Sequence, residues 1–259
     1  MALAKLFAEE RRKRIFELLQ ADQRVSVKRL SEVLDVSEAT LRTDLKLMED
    51  EGLLTRTHGG AVIADEIKPE YSFTEREKRN RDLKVNIARK AAELVHDGDC
   101  ILIDASSTTL ELARLLRQRQ IRLTVVTNGI SAAMELKENP GITVILLGGV
   151  LRMGSVAVEG QLGTDILEKI NTSKLFASAS GFTLEDGLTD FNVYEVELKK
   201  AMVQSVSTVI AMLDHSKFGK SSLSIFCETG DIDMLIADSN APKETLEELE
   251  RRQVQVLVV

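Results

Sequence analysis

No apolar run in this chain approaches the ~18 residues that a membrane-spanning helix needs, which argues against an integral helical membrane protein. The opening segment, MALAKLFAEERRKR, has no apolar stretch long enough for a secretory signal, so the cytoplasm is the expected compartment. Cysteine is scarce: Cys100 and Cys227 are the only two. They stand in apolar runs without CxxC or Cys/His spacing, so neither a disulfide framework nor a zinc site is expected, and reduced core thiols are. No metal, cofactor or catalytic residue is expected either. Positive charge is also short, with 34 Lys/Arg against 41 Asp/Glu and a net charge of -7. That balance excludes a protein that coats nucleic acid by bulk electrostatics.

What is present is ordinary for a water-soluble globular protein, 44% hydrophobic and 29% charged, over 259 residues. The length suits a small module joined to one larger α/β domain. Charge divides unevenly along it. Acids and bases balance over residues 1–62, so the acid excess belongs to the remainder. Within the first part bases cluster at Arg11, Arg12, Lys13 and Arg14, at Lys28 and Arg29, and at Arg42, Lys46 and Arg56, a modest basic face that suits a site-specific DNA binder.

The first 63 residues read as a winged helix-turn-helix. Helical spacing of Ile15, Leu18 and Leu19, with Phe16 beside them, predicts a helix over 8–20. Ser26 is a good N-cap for a helix over 27–34 with Leu30, Val33 and Leu34 inward. Asp35-Val36-Ser37 forms the turn, Val36 filling the space between helices and Ser37 capping a third helix over 38–51 that buries Leu41, Leu45 and Met48. Gly52 suits its left-handed end. Strands over 53–57 and 61–63 flank His58-Gly59-Gly60, a turn whose glycines permit positive φ. In such a unit the early residues of the third helix reach base edges, which nominates Glu38, Thr40, Arg42 and Thr43, with Arg42 on guanine or phosphate. Ser37 and Lys46 join them, and Arg56 and His58 on the wing face the sugar-phosphate backbone.

Residues 64–72, charged and holding Pro69, read as a hinge. A long helix over 73–95 follows. The apolar runs CILID, LTVVT, ITVILL, LFASAS, STVIAML, MLIA and VQVLVV then alternate with helical stretches, which predicts βαβ units and a mainly parallel sheet over 73–259. Ligands of such sheets bind beyond the carboxyl ends of the strands. The residues there are Asp104, Ser106, Ser107, Thr108 and Thr109, then Thr127 and Asn128, Gly148 and Gly149 with Arg152, Gly181, and Asp214 with Lys217. Small residues and hydroxyls at a helix start suit a phosphate. Arg152 and Lys217 suit its charge, while Asp104, Asn128, Asp190 and Glu195 suit sugar hydroxyls. Glu195 and Lys199, at i and i+4, also read as an ordinary surface ion pair.

The segment VSVKRLSEVLDVSEATLRTDLKLMEDEGLLTRTHGGAV is similar to the DNA-binding domain of the DeoR family of bacterial sugar-metabolism regulators. Thr43 departs from it, standing where the family more usually has a second arginine. The second half resembles the family's effector-sensing domain through DASSTT, TNG, LLGG with Arg152, EDGLTD, the Glu195 to Lys199 helix and DHSKFG; Ser106-Ser107 replaces a frequent Gly-Thr. The resemblance implies a sensor folded like ribose-5-phosphate isomerase, a phosphorylated sugar or polyol as effector, and double-stranded operator DNA as partner. A repressor that is a dimer or tetramer follows as the expectation, since such heads read paired half-sites. The rival is a sugar-phosphate isomerase with an accessory DNA-binding head. It requires a carboxylate base, nominally Glu195 or Asp190 with Lys217, yet GFTLEDG lacks the paired acids that related isomerases carry there.

Overall fold

The computed structural model describes residues 8–22, 24–50, 53–57, 59–63, 73–152 and 155–259. They form two compact units that divide between Glu75 and Arg76. Gly52, His58 and the expected hinge over 64–72 lie outside the described residues.

The first unit contains helix α1 (Ala8–Asp22), strand β1 (Arg24–Ser26), helices α2 (Val27–Leu34) and α3 (Glu38–Asp50), and strands β2 (Leu54–Thr57) and β3 (Gly60–Ile63). Its boundaries follow local chemistry. Ser26 Oγ accepts from Arg29 N at 3.2 Å to start α2, Asp35 leaves it with φ 53°, and Ser37 Oγ accepts from Thr40 N at 3.3 Å to start α3. Ile15, Leu19, Leu30, Leu34, Leu41, Leu45, Met48 and Leu54 close the core. Val33 does not join it; the inward stripe of α2 is Val27, Leu30 and Leu34, which leaves Val33 exposed. Arg11 is also withdrawn from the expected basic face, because its guanidinium clasps the buried Asp44 carboxylate at 2.6 and 3.2 Å.

The wing has three strands instead of two, in the order β1-β3-β2, all antiparallel. Arg24-Val25-Ser26 escaped notice because three residues directly before a helix read only as its cap. Neither Gly59 nor Gly60 takes a positive φ. Gly60 answers a different demand: a Cβ there would strike the Val25 carbonyl oxygen across the β1-β3 pair.

The second unit is built on a seven-stranded parallel sheet. In chain order its strands are β4 (Cys100–Ile103), β5 (Leu123–Thr127), β6 (Ile142–Leu146), β7 (Lys174–Ala177), β10 (Thr208–Leu213), β12 (Met234–Ala237) and β13 (Gln255–Val258), arranged β13-β12-β10-β7-β4-β5-β6. Leu102 of β4 aligns with Val126 of β5 and Leu175 of β7. Each of the seven apolar runs read from the sequence supplies one of these strands. Helices α5 (Arg81–Glu93), α6 (Ser107–Arg117) and α7 (Ile130–Leu136) pack side by side. Leu102, Val126, Ala177 and Ala211 share a cluster with Leu198 and Met202 of α9 (Val193–Gln204), Leu167 of α8 (Asp165–Lys169) and Leu249 of α10 (Lys243–Arg251). A small antiparallel sheet, β11-β9-β8, joins β8 (Gly181–Thr183), β9 (Gly187–Asp190) and β11 (Ser224–Cys227). Cys100 and Cys227 are free thiols, the second buried.

Two points position the site. From β4 the chain steps outward to β5 and β6, then returns to the other side of β4 as β7. This reversal opens a crevice beyond the carboxyl ends of β4 and β7. The expected helix over 73–95 is also broken: α4 (Phe73–Lys78) stops, Asn80 takes φ 53°, and α5 begins at Arg81. Asn80 Nδ2 donates to Asp214 Oδ1 at 2.9 Å, which fixes the break; asparagine tolerates the left-handed conformation better than most residues.

Candidate functional site

On the first unit, Glu38, Arg42 and Lys46 recur every four residues along the exposed face of α3, with Thr43 beside them and Thr40 partly covered. Arg42 Nη2 meets Glu38 at 2.6 Å with both side chains open to solvent. Such a pair contributes ~0.3–0.5 kcal/mol, so a DNA acceptor displaces Glu38 at little cost. Lys46 makes no ion pair among the described residues. Thr43 Oγ1 donates to the Ala39 carbonyl at 3.2 Å, and Ser37 is engaged as the cap. On β2 the Arg56 amide donates to Glu49 at 2.8 Å. A groove lined by Arg24, Ser26, Arg29, Thr57 and Gly59 adjoins this wing.

On the second unit, a narrow cavity of about 10 Å³ lies where β4 and β7 part, room for about one water as its walls stand. Ser106, Ser107 and Thr108 line it from the start of α6, Ser178 and Ala179 from the end of β7, Asp190 from β9, Glu195 and Lys199 from α9, Lys217 from the loop after β10, and Arg76 from α4. Ser106 caps α6 by accepting from Thr109 N at 3.1 Å, so the following amides face an anion favourably.

Lys199 is the keystone of its floor. Its ammonium donates to Asp104 Oδ2 at 2.9 Å, Asp190 Oδ2 at 3.0 Å and the Ser178 carbonyl at 2.9 Å, and lies 4.1 Å from the centre of the Phe226 ring. Burial opposes its charge, but the Asp104 and Asp190 carboxylates outweigh it and raise the pKa. The surface ion pair of Glu195 and Lys199 is therefore not what forms. Both are buried, and Lys199 binds carboxylates from distant strands. Burial and the Asp190 charge push the Glu195 carboxyl up to about 7. Asp190 stays below its usual range: burial raises it, and the charges of Lys199 and Arg76 more than reverse that.

Lys217 differs from Lys199. Its ammonium has no hydrogen bond or ion pair among the described residues, and burial, with repulsion from Arg76, lowers its pKa against the opposing pull of Asp214. Behind it Lys84, 2% exposed, donates to the Arg76 carbonyl and is held down to about 8 by burial and by Lys217. Arg76 and Lys217 thus share the cavity lining with Asp190 and Glu195, and Lys84 stands close to both cations.

Of the residues expected from the sequence, Ser106, Ser107, Thr108, Asp190, Glu195, Lys199 and Lys217 meet in this cavity. Asp104 and Thr109 lie beneath it. Asp104, fully buried, accepts from Ser106 N, Ser178 N and Thr109 Oγ1 as well as Lys199, so no lone pair direction is left for a sugar hydroxyl. Asp214 supports the Lys217 turn by accepting from Ser216 N at 3.0 Å. Thr127, Asn128, Gly148, Gly149, Arg152 and Gly181 stand outside. Thr127 Oγ1 accepts from Gly129 N, Asn128 Nδ2 reaches the Val158 carbonyl, and Gly181 opens β8. Arg152 is spent on Glu159 at 2.9 Å and stacks 4.4 Å over the Tyr194 ring. Arg76, Lys84, Ser178 and Ala179 were missed. Arg76 sits in the charged run TEREKR, where no pattern distinguishes it, and Lys84 sits in a polar stretch of α5.

Residues 11–67 match the DeoR-like helix-turn-helix domain, and residues 79–239 match the DeoR C-terminal sensor domain. The chain belongs to the DeoR family. The HTH-type transcriptional regulator GolR of Listeria innocua is 42% identical over 238 residues, covering 92% of this chain and 93% of that protein. A putative aga operon transcriptional repressor of Escherichia coli O157:H7 is 34% identical over 252 residues, covering 96% and 93%. Among solved structures, ribose 5-phosphate isomerase A of Methanocaldococcus jannaschii aligns with a TM-score of 0.40 and 19% identity over 54% of this chain and 55% of that one. As a DeoR-family protein the chain is a DNA-binding transcriptional regulator, and the isomerase reading falls away, because its relatives over nearly their whole length are regulators. Every cavity residue except Arg76 lies within the matched DeoR sensor segment. Among the described residues no helix is long and apolar enough to cross a membrane.

Proposed function

We propose that this DeoR-family regulator represses a sugar or polyol utilisation operon in the cytoplasm and is controlled by a phosphorylated sugar bound in the β4-β7 cavity. The observation that carries the reading is Lys217, an unpaired ammonium in a cavity that also presents Arg76 and the capped start of α6. A half-buried ammonium that no carboxylate meets in a direct ion pair is costly, and an anion arriving there lowers the cost. A phosphate suits Lys217 and Arg76, with Ser107 and Thr108 as further donors, while Asp190 and Glu195 in the same lining accept from hydroxyls.

Operator DNA is read by α3, with Arg42 on a base edge or phosphate and Ser37, Glu38, Thr40, Thr43, Lys46, Arg56 and His58 as the surrounding contacts. Residues 1–63 form the reading head, 64–72 the hinge and 73–259 the sensor. The protein acts as a dimer or tetramer, since paired half-sites call for paired heads. Effector and operator then influence each other through their differential affinity for two forms, with ~1–3 kcal/mol of coupling. The test is a thermal-shift panel of sugar and polyol phosphates beside their unphosphorylated parents, followed by operator titrations with each hit. A hit that requires the phosphate, is lost in Lys217→Met and changes operator affinity supports the reading. Indifference to every phosphorylated compound sinks the sensing half.

A further inference from the structure

Strand β6 ends the seven-stranded sheet, and no strand among the described residues pairs with its outer edge. Its sequence, ITVIL, carries no charge and no proline, the usual devices that keep an edge from recruiting another chain. Large apolar side chains are exposed around it. Leu146 closes β6 at 43% exposure, Val150 and Leu151 follow at 45% and 56%, Leu162 reaches 80%, and Met134 stands at 55% on α7, which packs beside β6. The loop between them is closed by Val150 and Glu159, which exchange both backbone hydrogen bonds at 2.9 Å. Gly163 seats on Gly148, which returns Leu162 to the end of β6.

We propose that this edge is where a second copy of the chain docks, two β6 strands and the flanking Val150, Leu151 and Leu162 of each copy meeting across a two-fold axis. The inference rests on the reading of the protein as a DNA binder with paired heads. The exposed apolar surface of the five side chains is on the order of 500 Å², against ~800 Å² per partner in a stable interface. They supply more than half, and the unpaired β6 edge with its flanks supplies the rest. A second copy is the occupant because a two-fold contact consumes both edges and both patches at once and leaves nothing open to continue a filament. The opposite edge, β13, offers only Val258 as a large exposed apolar residue and serves as the control.

The test is sedimentation of the full chain at ~1 and ~50 μM for wild type, Leu151→Asp/Leu162→Asp and Val258→Asp, each checked by circular dichroism. Expected is an assembled wild type, an unchanged Val258→Asp, and a double variant of half the wild-type mass or less with its helical signal and melting retained. If the double variant loses its fold signal, Leu162→Glu, at the most exposed of the five positions, replaces it. A variant that keeps the wild-type mass overturns the docking surface while leaving the paired-head reading intact. A wild type that is monomeric at ~50 μM overturns both.

Discussion

Two lysines that look alike in the sequence do opposite things. Lys199 holds two buried carboxylates, so Lys199→Met should cost ~3–5 kcal/mol in urea unfolding, because Asp104 and Asp190 are left buried and uncompensated. Lys217→Met removes a lysine whose charged form is disfavoured, so stability should hold or rise while affinity for a phosphorylated ligand falls at least tenfold by calorimetry. Glu195 gives a pH signature. Its pKa of about 7 in the fold exceeds the ordinary 4.5, so the folded state binds more protons between those values. Stability from this group is full below about pH 4.5 and is lost as pH rises through 7, by about 3 kcal/mol. Glu195→Gln should therefore raise the melting temperature at pH 8 relative to wild type and lose that advantage at pH 5. None of this was legible locally: the i and i+4 spacing of Glu195 and Lys199 spoke for a surface pair, and their real partners come from β4 and β9, beyond the reach of helical periodicity.

Among the elements, α9 shows how a helix start ties the cavity to its surroundings. Asn192 Oδ1 accepts from Tyr194 N at 3.1 Å and Glu195 N at 3.3 Å, while its Nδ2 donates to Glu159 Oε1 at 2.6 Å. Asn192→Ala should lose ~1 kcal/mol for the cap and more for the buried Glu159 Oε1, which loses its donor while Oε2 keeps Arg152, a total of ~2–3 kcal/mol in chemical unfolding. Asn192→Asp keeps the cap but sets a carboxylate against Glu159, so it should be as damaging above pH 5 and milder below. The parallel strands were readable because each is a largely continuous apolar run, the central ones buried on both faces. The strands β8, β9 and β11 were not, since GFT and GLTD are short and polar, and β9, paired locally with β8, gains its second partner only when the chain returns at β11. The break at Asn80 was hidden for a related reason: its anchor, Asp214, lies 134 residues away.

For the whole molecule, the two DeoR matches join a reader of DNA to a sensor, and the reader makes the sharper prediction. Arg42→Ala should weaken operator binding by ~1–3 kcal/mol and relax preference at one base pair if the guanidinium grips a guanine edge. If it grips phosphate, preference should persist and the salt dependence should fall by about one unit; fluorescence anisotropy over a salt series with single-base operator variants separates these. The head was almost wholly legible because its helices are short, capped and locally patterned. The acidic sensor yielded its sheet and most of its cavity lining, but not the cations Arg76 of α4 and Lys84 of α5, whose roles arise only from tertiary packing.

The residues around Gly149 and Gly163 have an inner face with no room for novelty. Gly149 holds φ 155° where a Cβ would strike the Glu159 carbonyl, and Gly163 lies backbone to backbone on Gly148. Variation here is thereby pushed outward, onto Val150, Leu151 and Leu162. In a lineage that duplicates such a gene, drift at those three positions would alter which copies pair with which, if the proposed docking holds. The same segment that must stay rigid inside would act outside as the badge by which each copy recognises its own kind.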